Sequence, residues 1–328
     1  MQTLWLAFTF VRGLGAKRIK NIYDMIPQLT ENYFYDDEQK QILMKVVKNK
    51  NILDVLFHEK TMKEYIKQAQ KVIQHHQKQA MHVITIGDEY YPKLLRKLDD
   101  PPTVLYCKGN IDLLQTHDHI AIVGTRHPTE TGKKFARRIA EIFVDKGYGI
   151  VSGLAVGIDT EAHLGTLDAK GKTIAVLAGG LHSIFPKENI NLAHRIVENG
   201  GLLISEQAIG SSAFRAAFVQ RDRIQSGLSL AVCPVQTDIK GGTQNTIQFA
   251  RKQNRVLFCP VPTEDVPATR GIFKLLEEEA IPLKSSSDLP YIIQQIENKK
   301  NELLGEHNKQ NGKSIPNDET VEQLNLFD

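Results

Sequence analysis

The chain has 328 residues, of which 41% are hydrophobic and 24% are charged, proportions that are ordinary for a soluble globular protein. Its 41 lysines and arginines against 38 aspartates and glutamates leave a net charge of +3, so a nucleic-acid partner would have to be held by a local patch. No apolar run approaches the roughly 20 residues of a membrane span, and the three cysteines lack the spacing of a metal site. We therefore expect a cytoplasmic protein with reduced cysteines and no metal.

Residues 1–80 are predicted to form a small helical domain. Within it, Gly13-Leu14-Gly15 is followed by basic residues, a pattern similar to the helix-hairpin-helix turn that presents backbone N–H groups to a DNA phosphate. An ordinary connection between two packed helices gives the same pattern, and both interpretations stay open. Residues 81–118 carry two extended segments separated by prolines, and we expect them to form a bridge to the next domain.

Residues 119–262 alternate short apolar runs with amphipathic stretches. This alternation is typical of parallel strands joined by crossover helices and predicts an α/β fold, a Rossmann-like parallel sheet of about six strands. Residues 263–304 are predicted to be a C-terminal helical segment. Residues 305–328 are too polar to fold alone, and we expect a flexible tail.

A turn rich in small residues follows each of the first three strands of this sheet. Ligands of open α/β sheets bind at the carboxyl ends of the strands, and glycine lets backbone N–H groups approach an anion closely. We therefore predict that these turns bind phosphate through Gly124, Thr125 and Arg126, then Ser152, Gly153, Leu154, Ala155 and Gly157, then Gly179 and Gly180. The first turn is not GxGxxG, and no acidic residue ends the second strand, so we expect neither a dehydrogenase nor a nicotinamide or other cofactor.

Asp159 and His163 follow the second turn and lie four residues apart, on one face of a helix. Such a pair could act in catalysis, but the sequence places no serine or cysteine nucleophile beside them. We therefore predict a structural hydrogen-bonding role near the site, with Asp159 in the N-cap region of its helix, and no catalytic residues.

Several motifs of the sheet occur in a fixed order, from about residue 90 to residue 260. They are Ile122–Arg126, Ser152–Asp159 with His163, Gly179–Leu181 with Phe185-Pro186 and Asn189, and Leu203–Glu206. Together they resemble the DprA/Smf family of bacterial DNA-processing proteins. The resemblance implies a non-enzymatic homodimer that binds and protects single-stranded DNA during natural transformation and helps to load RecA. It also implies DNA contacts by Arg126, the turn 152–157 and Lys187, and Asn189 is a further candidate contact. Phe185 is either a base-stacking residue or a core aromatic.

The second half of the sheet departs from the family pattern. Arg221 and Arg223 are kept as candidate phosphate contacts, but Asp222 between them can either weaken phosphate binding or orient them through ion pairing. Gln236 stands where the family pattern has a glutamate after the fifth strand. The turn Gly241-Gly242-Thr243, a further candidate phosphate site, is similar to a turn of nucleotide-binding relatives. A nucleotide-sensing or nucleotide-hydrolysing protein, including one that acts in defence against mobile DNA, therefore stays the alternative to strand binding.

The last residues interrupt the polarity of the tail. Gln323, Leu324, Leu326 and Phe327 resemble the short peptide by which many bacterial proteins dock onto the replication sliding clamp. Apolar anchors on a flexible linker suit such docking, because the linker gives reach and the anchors fill an apolar pocket. A clamp-associated adaptor that binds DNA only incidentally is therefore a third interpretation.

Overall fold

The computed structural model describes residues 2–211 and 214–305. The α-helices of this part of the chain are α1 (Gln2–Phe8), α2 (Ala16–Met25), α3 (Asp37–Val47), α4 (Lys50–Phe57), α5 (Glu59–Gln77), α6 (Lys93–Arg96), α7 (Glu130–Asp145), α8 (Ile158–Asp168), α9 (Ile190–Glu198), α10 (Arg215–Leu228), α11 (Thr243–Lys252), α12 (Pro267–Glu278) and α13 (Leu289–Leu304). Short 3₁₀ helices cover Glu31–Tyr35, Ile111–Leu114, Lys187–Asn189 and Ser286–Asp288. The clamp-like residues Gln323, Leu324, Leu326 and Phe327 lie outside the described residues.

Nine strands of the described chain form one sheet in the order β1-β2-β6-β5-β4-β3-β7-β8-β9. The strands are β1 (His82–Thr85), β2 (Val104–Gly109), β3 (His119–Val123), β4 (Gly149–Ser152), β5 (Thr173–Leu177), β6 (Leu202–Ser205), β7 (Ala231–Pro234), β8 (Val256–Pro260) and β9 (Ile281–Leu283). From β3 onward every pairing between them is parallel. The predicted α/β class with a Rossmann-like parallel sheet is therefore confirmed.

The sheet is larger than predicted at both edges. The two extended segments expected as a bridge are β1 and β2, and β2 pairs antiparallel with β6. At the other edge β9 adds a strand inside the segment that was expected to be helical. This strand has only three residues, and its central residue is Pro282. A sequence with this pattern does not predict a strand. At an edge, however, a proline removes no needed ladder hydrogen bond.

The helical N-terminal region, α1 to α5, packs directly against the sheet. Trp5 is fully buried and fills the space beside Gly87, where a Cβ atom would come within 2.1 Å of the indole nitrogen. His76 of α5 stacks on Tyr106 of β2 with ring centres 4.5 Å apart, and its Nε2 accepts a hydrogen bond of 3.0 Å from the Ile209 N–H. These contacts fix the region relative to the loop after β6.

The strand order reverses direction at β3. From β3 the chain builds β4, β5 and β6 on one side and then returns to place β7, β8 and β9 on the other. At such a switch point the helices that follow the two neighbouring strands diverge, which leaves a crevice at the carboxyl ends of the strands. The register pairs Val123 with Pro234, so both strands end at this crevice. None of the helices described here is long and apolar enough to cross a bilayer.

Candidate nucleic-acid interface

A cleft of about 980 Å³ opens over the carboxyl ends of β3 and β7. Its walls come from the turn after β3, from α10 and from the N-terminal ends of α11 and α12. Within residues 2–211 and 214–305 no cluster of histidine, cysteine and acidic side chains is placed to hold a metal ion. The cleft is therefore best described through its charges, its backbone N–H groups and its aromatic side chains.

The turn after β3 is anchored across the switch point. A Cβ atom at Gly124 would lie 2.5 Å from the Ile158 side chain, so glycine is required for this close approach. The Thr125 N–H donates to the Gln236 carbonyl at 2.8 Å, and the Thr125 carbonyl accepts from the Ile158 N–H at 3.2 Å. These bonds fix the backbone from which Arg126 projects.

Arg126 is exposed at the entrance of the cleft. Its guanidinium carbon lies 5.6 Å from the centre of the Phe218 ring, an arrangement that orients the cation through its attraction to the ring face. Arg126 forms no ion pair with the carboxylates of the described residues. The structure therefore presents Arg126 as a positioned cation that forms no ion pair with a described residue and whose charge acts on the nearby Asp222 carboxyl group.

Aromatic side chains surround Arg126. Phe185 contacts Phe218 edge-to-face with ring centres 6.0 Å apart, and 54% of the Phe185 residue is exposed, so it is not a core aromatic. Phe214, also half exposed, precedes the exposed Arg215, which lines the cleft. We call these five residues, Arg126, Phe185, Phe214, Arg215 and Phe218, the mouth of the cleft. Arg126, Arg215 and Phe218 line the cleft, and Phe185 and Phe214 lie beside these lining residues. Lys187 is exposed two residues beyond Phe185 but does not line the cleft.

The second glycine-rich turn is mostly closed to a ligand. The Asp159 carboxylate accepts hydrogen bonds from the N–H groups of Gly153 at 3.1 Å and Ala155 at 3.3 Å. Arg221 lies directly over the turn, because a Cβ atom at Gly153 would be 1.2 Å from its guanidinium. The turn was expected to direct these N–H groups at phosphate, and this expectation needs correction, since Asp159 already takes up both of them.

The remaining members of the second and third turns also have internal roles. The Ser152 hydroxyl donates to the Ile122 carbonyl at 2.7 Å, and Leu154 is buried with φ at +60°. The Asn189 amide donates to the Leu154 carbonyl and to the Thr160 hydroxyl, both at 2.9 Å, and so ties the third turn to the second. The predicted contacts that do not line the cleft here are Ser152, Gly153, Leu154, Gly157, Gly179, Gly180 and Asn189.

The two arginines of α10 point to different sides. Residues two apart on a helix project roughly 200° from each other. Arg221 lines the cleft, whereas Arg223 makes a bidentate ion pair with Glu206 at 2.9 and 2.8 Å and donates to the Asp100 carbonyl at 3.2 Å. Arg223 is buried and does not line the cleft, so its predicted role as a phosphate contact is not supported by its position.

Arg221 lies between two carboxylates. Its guanidinium is 3.8 Å from an Asp159 oxygen and 3.5 Å from an Asp222 oxygen. Burial raises the pKa of Asp159, which Arg221 opposes, and burial raises the pKa of Asp222 to about 6. We call Asp159, Arg221 and Asp222 the inner wall of the cleft. The inner wall thus contains one positively charged side chain and two carboxyl groups.

His163 is buried behind the inner wall and does not reach the cleft. Its Nδ1 pairs with the Thr173 hydroxyl at 2.7 Å, and that hydroxyl donates to the Ile150 carbonyl at 2.8 Å. Burial lowers the pKa of His163 to about 3, so the ring is neutral near pH 7. The side chain connects α8 to the sheet rather than to Asp159.

Beyond β7, the side chain of Gln236 has a structural role. Its amide accepts from the Thr129 N–H at 3.0 Å and donates to the Thr129 hydroxyl at 2.8 Å, at the N-cap of α7. Gly241, Gly242 and Thr243 do line the cleft, at the start of α11. No acceptor among the described residues pairs with the N–H groups of Gly242 and Thr243, so they are available to an anion.

Sequence reasoning missed Arg215 and Phe218. The two residues are three apart at the start of α10, which places them on one face of the helix. An arginine and a phenylalanine at that spacing, close to a predicted phosphate site, could have indicated in the sequence that both residues belong to the site. His127 and Asp238 complete the charged lining that was not predicted.

The fold and the cleft define an α/β protein with a crevice at the switch point of a Rossmann-like sheet. The family model described as DNA recombination-mediator protein A matches residues 82–294. The Smf protein of Synechocystis is 34% identical over 296 residues, 88% of this chain and 71% of that protein. DprA of Bacillus subtilis is 37% identical over 219 residues, 67% of this chain and 73% of that protein. The chain therefore belongs to the DNA recombination-mediator protein A family, the DprA/Smf family that its motifs resemble.

Solved structures agree with this assignment. The X-ray structure of Streptococcus pneumoniae DprA superposes with a TM-score of 0.69 at 26% identity and covers 88% of this chain and 95% of that one. DprA of Helicobacter pylori, in a structure that concerns its single-stranded DNA binding mode, gives a TM-score of 0.56 at 31% identity, with 69% and 96% covered. The predicted family and fold class are confirmed.

Proposed function

We propose that this DNA-processing family member binds single-stranded DNA across the cleft and acts in natural transformation or recombination. In this proposal Arg126 and Arg215 contact phosphates from the mouth, and the first N–H groups of α11 contact them from the opposite wall. The observation that carries the proposal is Arg126, an oriented cation without an ion-pair partner among the described residues, at the entrance of a cleft above a helix N-terminus. Fixed cations and N–H groups bind phosphate without reading sequence.

The aromatic residues of the mouth support a strand rather than a bare phosphate. Phe185 and Phe214 each expose about half of their surface beside the cations. A base stacked on an aromatic side chain contributes about 1–3 kcal/mol, and stacking tolerates any base. A mouth with both cations and exposed rings is therefore suited to a single strand, whose bases are available for stacking.

The finer roles extend this proposal from the family resemblance. They are protection of incoming strands, loading of RecA, formation of a homodimer, and docking of the tail residues Gln323, Leu324, Leu326 and Phe327 on the sliding clamp. None of these roles requires a catalytic step. The carboxylates of the inner wall adjoin Arg221, and His163 is buried outside the cleft, so we propose a binding function without chemistry.

Fluorescence anisotropy of a labelled oligo-dT at several salt concentrations tests the proposal. Wild-type protein should bind with an affinity that falls steeply as salt rises, because several phosphates release counterions. Arg126→Ala should weaken binding about tenfold, since a hydrogen bond to a charged group contributes about 1.5–3 kcal/mol. Its salt slope should fall by about 0.7, the value for one phosphate on a single strand.

Arg195→Ala is the matched control. Arg195 is equally exposed, but it lies in the last turn of α9, and helices that follow parallel strands end at the opposite edge of the sheet from the cleft. We expect wild-type affinity for this variant. Absence of oligo-dT binding, or efficient displacement of the strand by a mononucleotide, would overturn the proposal and favour the nucleotide-sensing or nucleotide-hydrolysing alternative.

A further inference from the structure

The charges of the inner wall oppose the proposed ligand. Arg221 carries one positive charge, and Asp159 and Asp222 carry two negative charges when both are ionised. The Arg221 guanidinium is held between them, 3.8 Å from Asp159 and 3.5 Å from Asp222. With both acids ionised the wall has a net charge of −1, although it lines a cleft proposed to hold a polyanion.

The two carboxylates differ in what else they contact. Asp159 is committed to the turn, because it accepts from the Gly153 and Ala155 N–H groups. Asp222 has no backbone donor among the described residues, and the Gln225 side chain next to it is oriented so that its oxygen accepts from Arg221. Its side chain is 14% exposed and lines the cleft. Asp222 is therefore the acid of this wall that a bound phosphate can affect most directly.

We propose that Asp222 controls how tightly the cleft holds a strand, and that strand binding is coupled to proton uptake by this carboxyl group. The inference rests on the proposed function, since it requires phosphate in the cleft. Protonation of Asp222 removes the excess negative charge and leaves Arg221 paired with Asp159 alone. The neutral wall then no longer repels the strand.

The direction of the pH effect follows from the charges. Burial raises the pKa of Asp222 to about 6, with the Asp159 charge raising it as well and Arg221 and Arg126 opposing. A nearby phosphate favours the neutral form of a carboxyl group and so raises the pKa further in the complex. The complex therefore takes up protons, and affinity rises as pH falls from about 8 and levels off below about pH 5, where Asp222 is protonated in the free protein as well.

Other charged groups also line the cleft. Arg126, in the turn after β3, acts on Asp222 through its charge. Arg215 at the start of α10 and Asp238 in the loop after β7 line the same cleft. His127 follows Arg126 and lines the cleft as well, so the experiment includes a His127 variant beside the Asp222 variant.

The test measures the affinity of the full chain for oligo-dT at about pH 6 and about pH 8, at one fixed salt concentration. Wild type should bind about fivefold more tightly at the lower pH, the change that follows if the pKa of Asp222 rises by about one unit in the complex. Asp222→Asn should bind at the higher pH about as tightly as wild type does at the lower pH, and its pH dependence should be small. His127→Gln should keep the pH dependence of the wild type.

Binding enthalpies of wild type in buffers with different heats of ionisation give the number of protons taken up directly. They keep the proposal testable if Asp222→Asn fails to fold. Net uptake of about half a proton near pH 6.5 in wild type supports the proposal, and where Asp222→Asn folds this uptake should disappear. Equal affinities of wild type and Asp222→Asn at both pH values, or a pH dependence lost in His127→Gln alone, would overturn it. Absence of strand binding at either pH would overturn the proposed function and this inference with it.

Discussion

The mouth and the inner wall of the cleft contain similar residues that have different roles. At the mouth, Arg126 and Arg215 are exposed and carry charges that no ion pair with a described residue neutralises. In the inner wall, Arg221 is buried between two carboxylates, and Asp159 accepts from the N–H groups of Gly153 and Ala155. An arginine or a glycine next to a strand end is thus a ligand contact only where the fold leaves its donors unpaired.

The largest expected effect is the loss in the free energy of unfolding when a residue of the inner wall is substituted. Asp159→Ala leaves Arg221 short of a partner and two N–H groups unsatisfied, so we expect the free energy of unfolding to fall by about 3–5 kcal/mol. The control is Asp168→Ala on the same helix, because Asp168 pairs with Arg137 at 3.3 Å in an exposed position. An exposed pair contributes about 0–1 kcal/mol. If urea unfolding gave the same loss in the free energy of unfolding for both variants, the inner wall would stabilise the protein no more than an exposed ion pair does.

Arg223 gives the next largest effect. Arg223→Ala removes the bidentate pair with Glu206 and the bond to the Asp100 carbonyl, so stability should fall by about 3 kcal/mol. Under conditions where the variant is folded, its affinity for oligo-dT should stay within about twofold of wild type, because no phosphate contact is lost. Calorimetric melting and anisotropy of the same preparation check both parts. A stable variant with weak binding would place Arg223 among the ligand contacts.

The smallest effect concerns a single N–H group. Gly242 has φ of −58°, which proline can adopt, and no atom lies within 4 Å of a Cβ placed there. Gly242→Pro removes the N–H that we assign to phosphate, and oligo-dT affinity should fall about fivefold. Gly242→Ala keeps the N–H and should bind like wild type. Loss of affinity in both variants would point to the shape of the turn rather than to its N–H group.

Much of the fold follows from local patterns in the sequence. Apolar runs that alternate with amphipathic stretches specify strands and crossover helices, and the topology then brings Gly124, Arg126 and Gly242 to one edge. The edge strand β9 was not predicted, because three residues around Pro282 carry no strand signal.

The site was harder to predict than the fold. Whether an N–H group or an arginine can reach a ligand depends on which side chains it already bonds to in the folded protein. Asp159 is six residues from Gly153 in sequence, and only the turn geometry shows that its carboxylate takes up the Gly153 and Ala155 N–H groups. Arg221 and Arg223 look equivalent in sequence. The rotation of α10 against the sheet decides which of them faces the cleft, and this depends on distant partners such as Glu206.

The most direct test of the account compares Arg126→Ala with Arg223→Ala in oligo-dT binding over a range of salt concentrations. We predict that Arg126→Ala lowers the salt slope by about 0.7 and weakens binding about tenfold, with stability changed by less than about 1 kcal/mol. Arg223→Ala should keep the wild-type slope while it loses stability. A slope that falls in Arg223→Ala and stays at the wild-type value in Arg126→Ala would contradict the account, because the strand would then be held by the arginine that the structure buries.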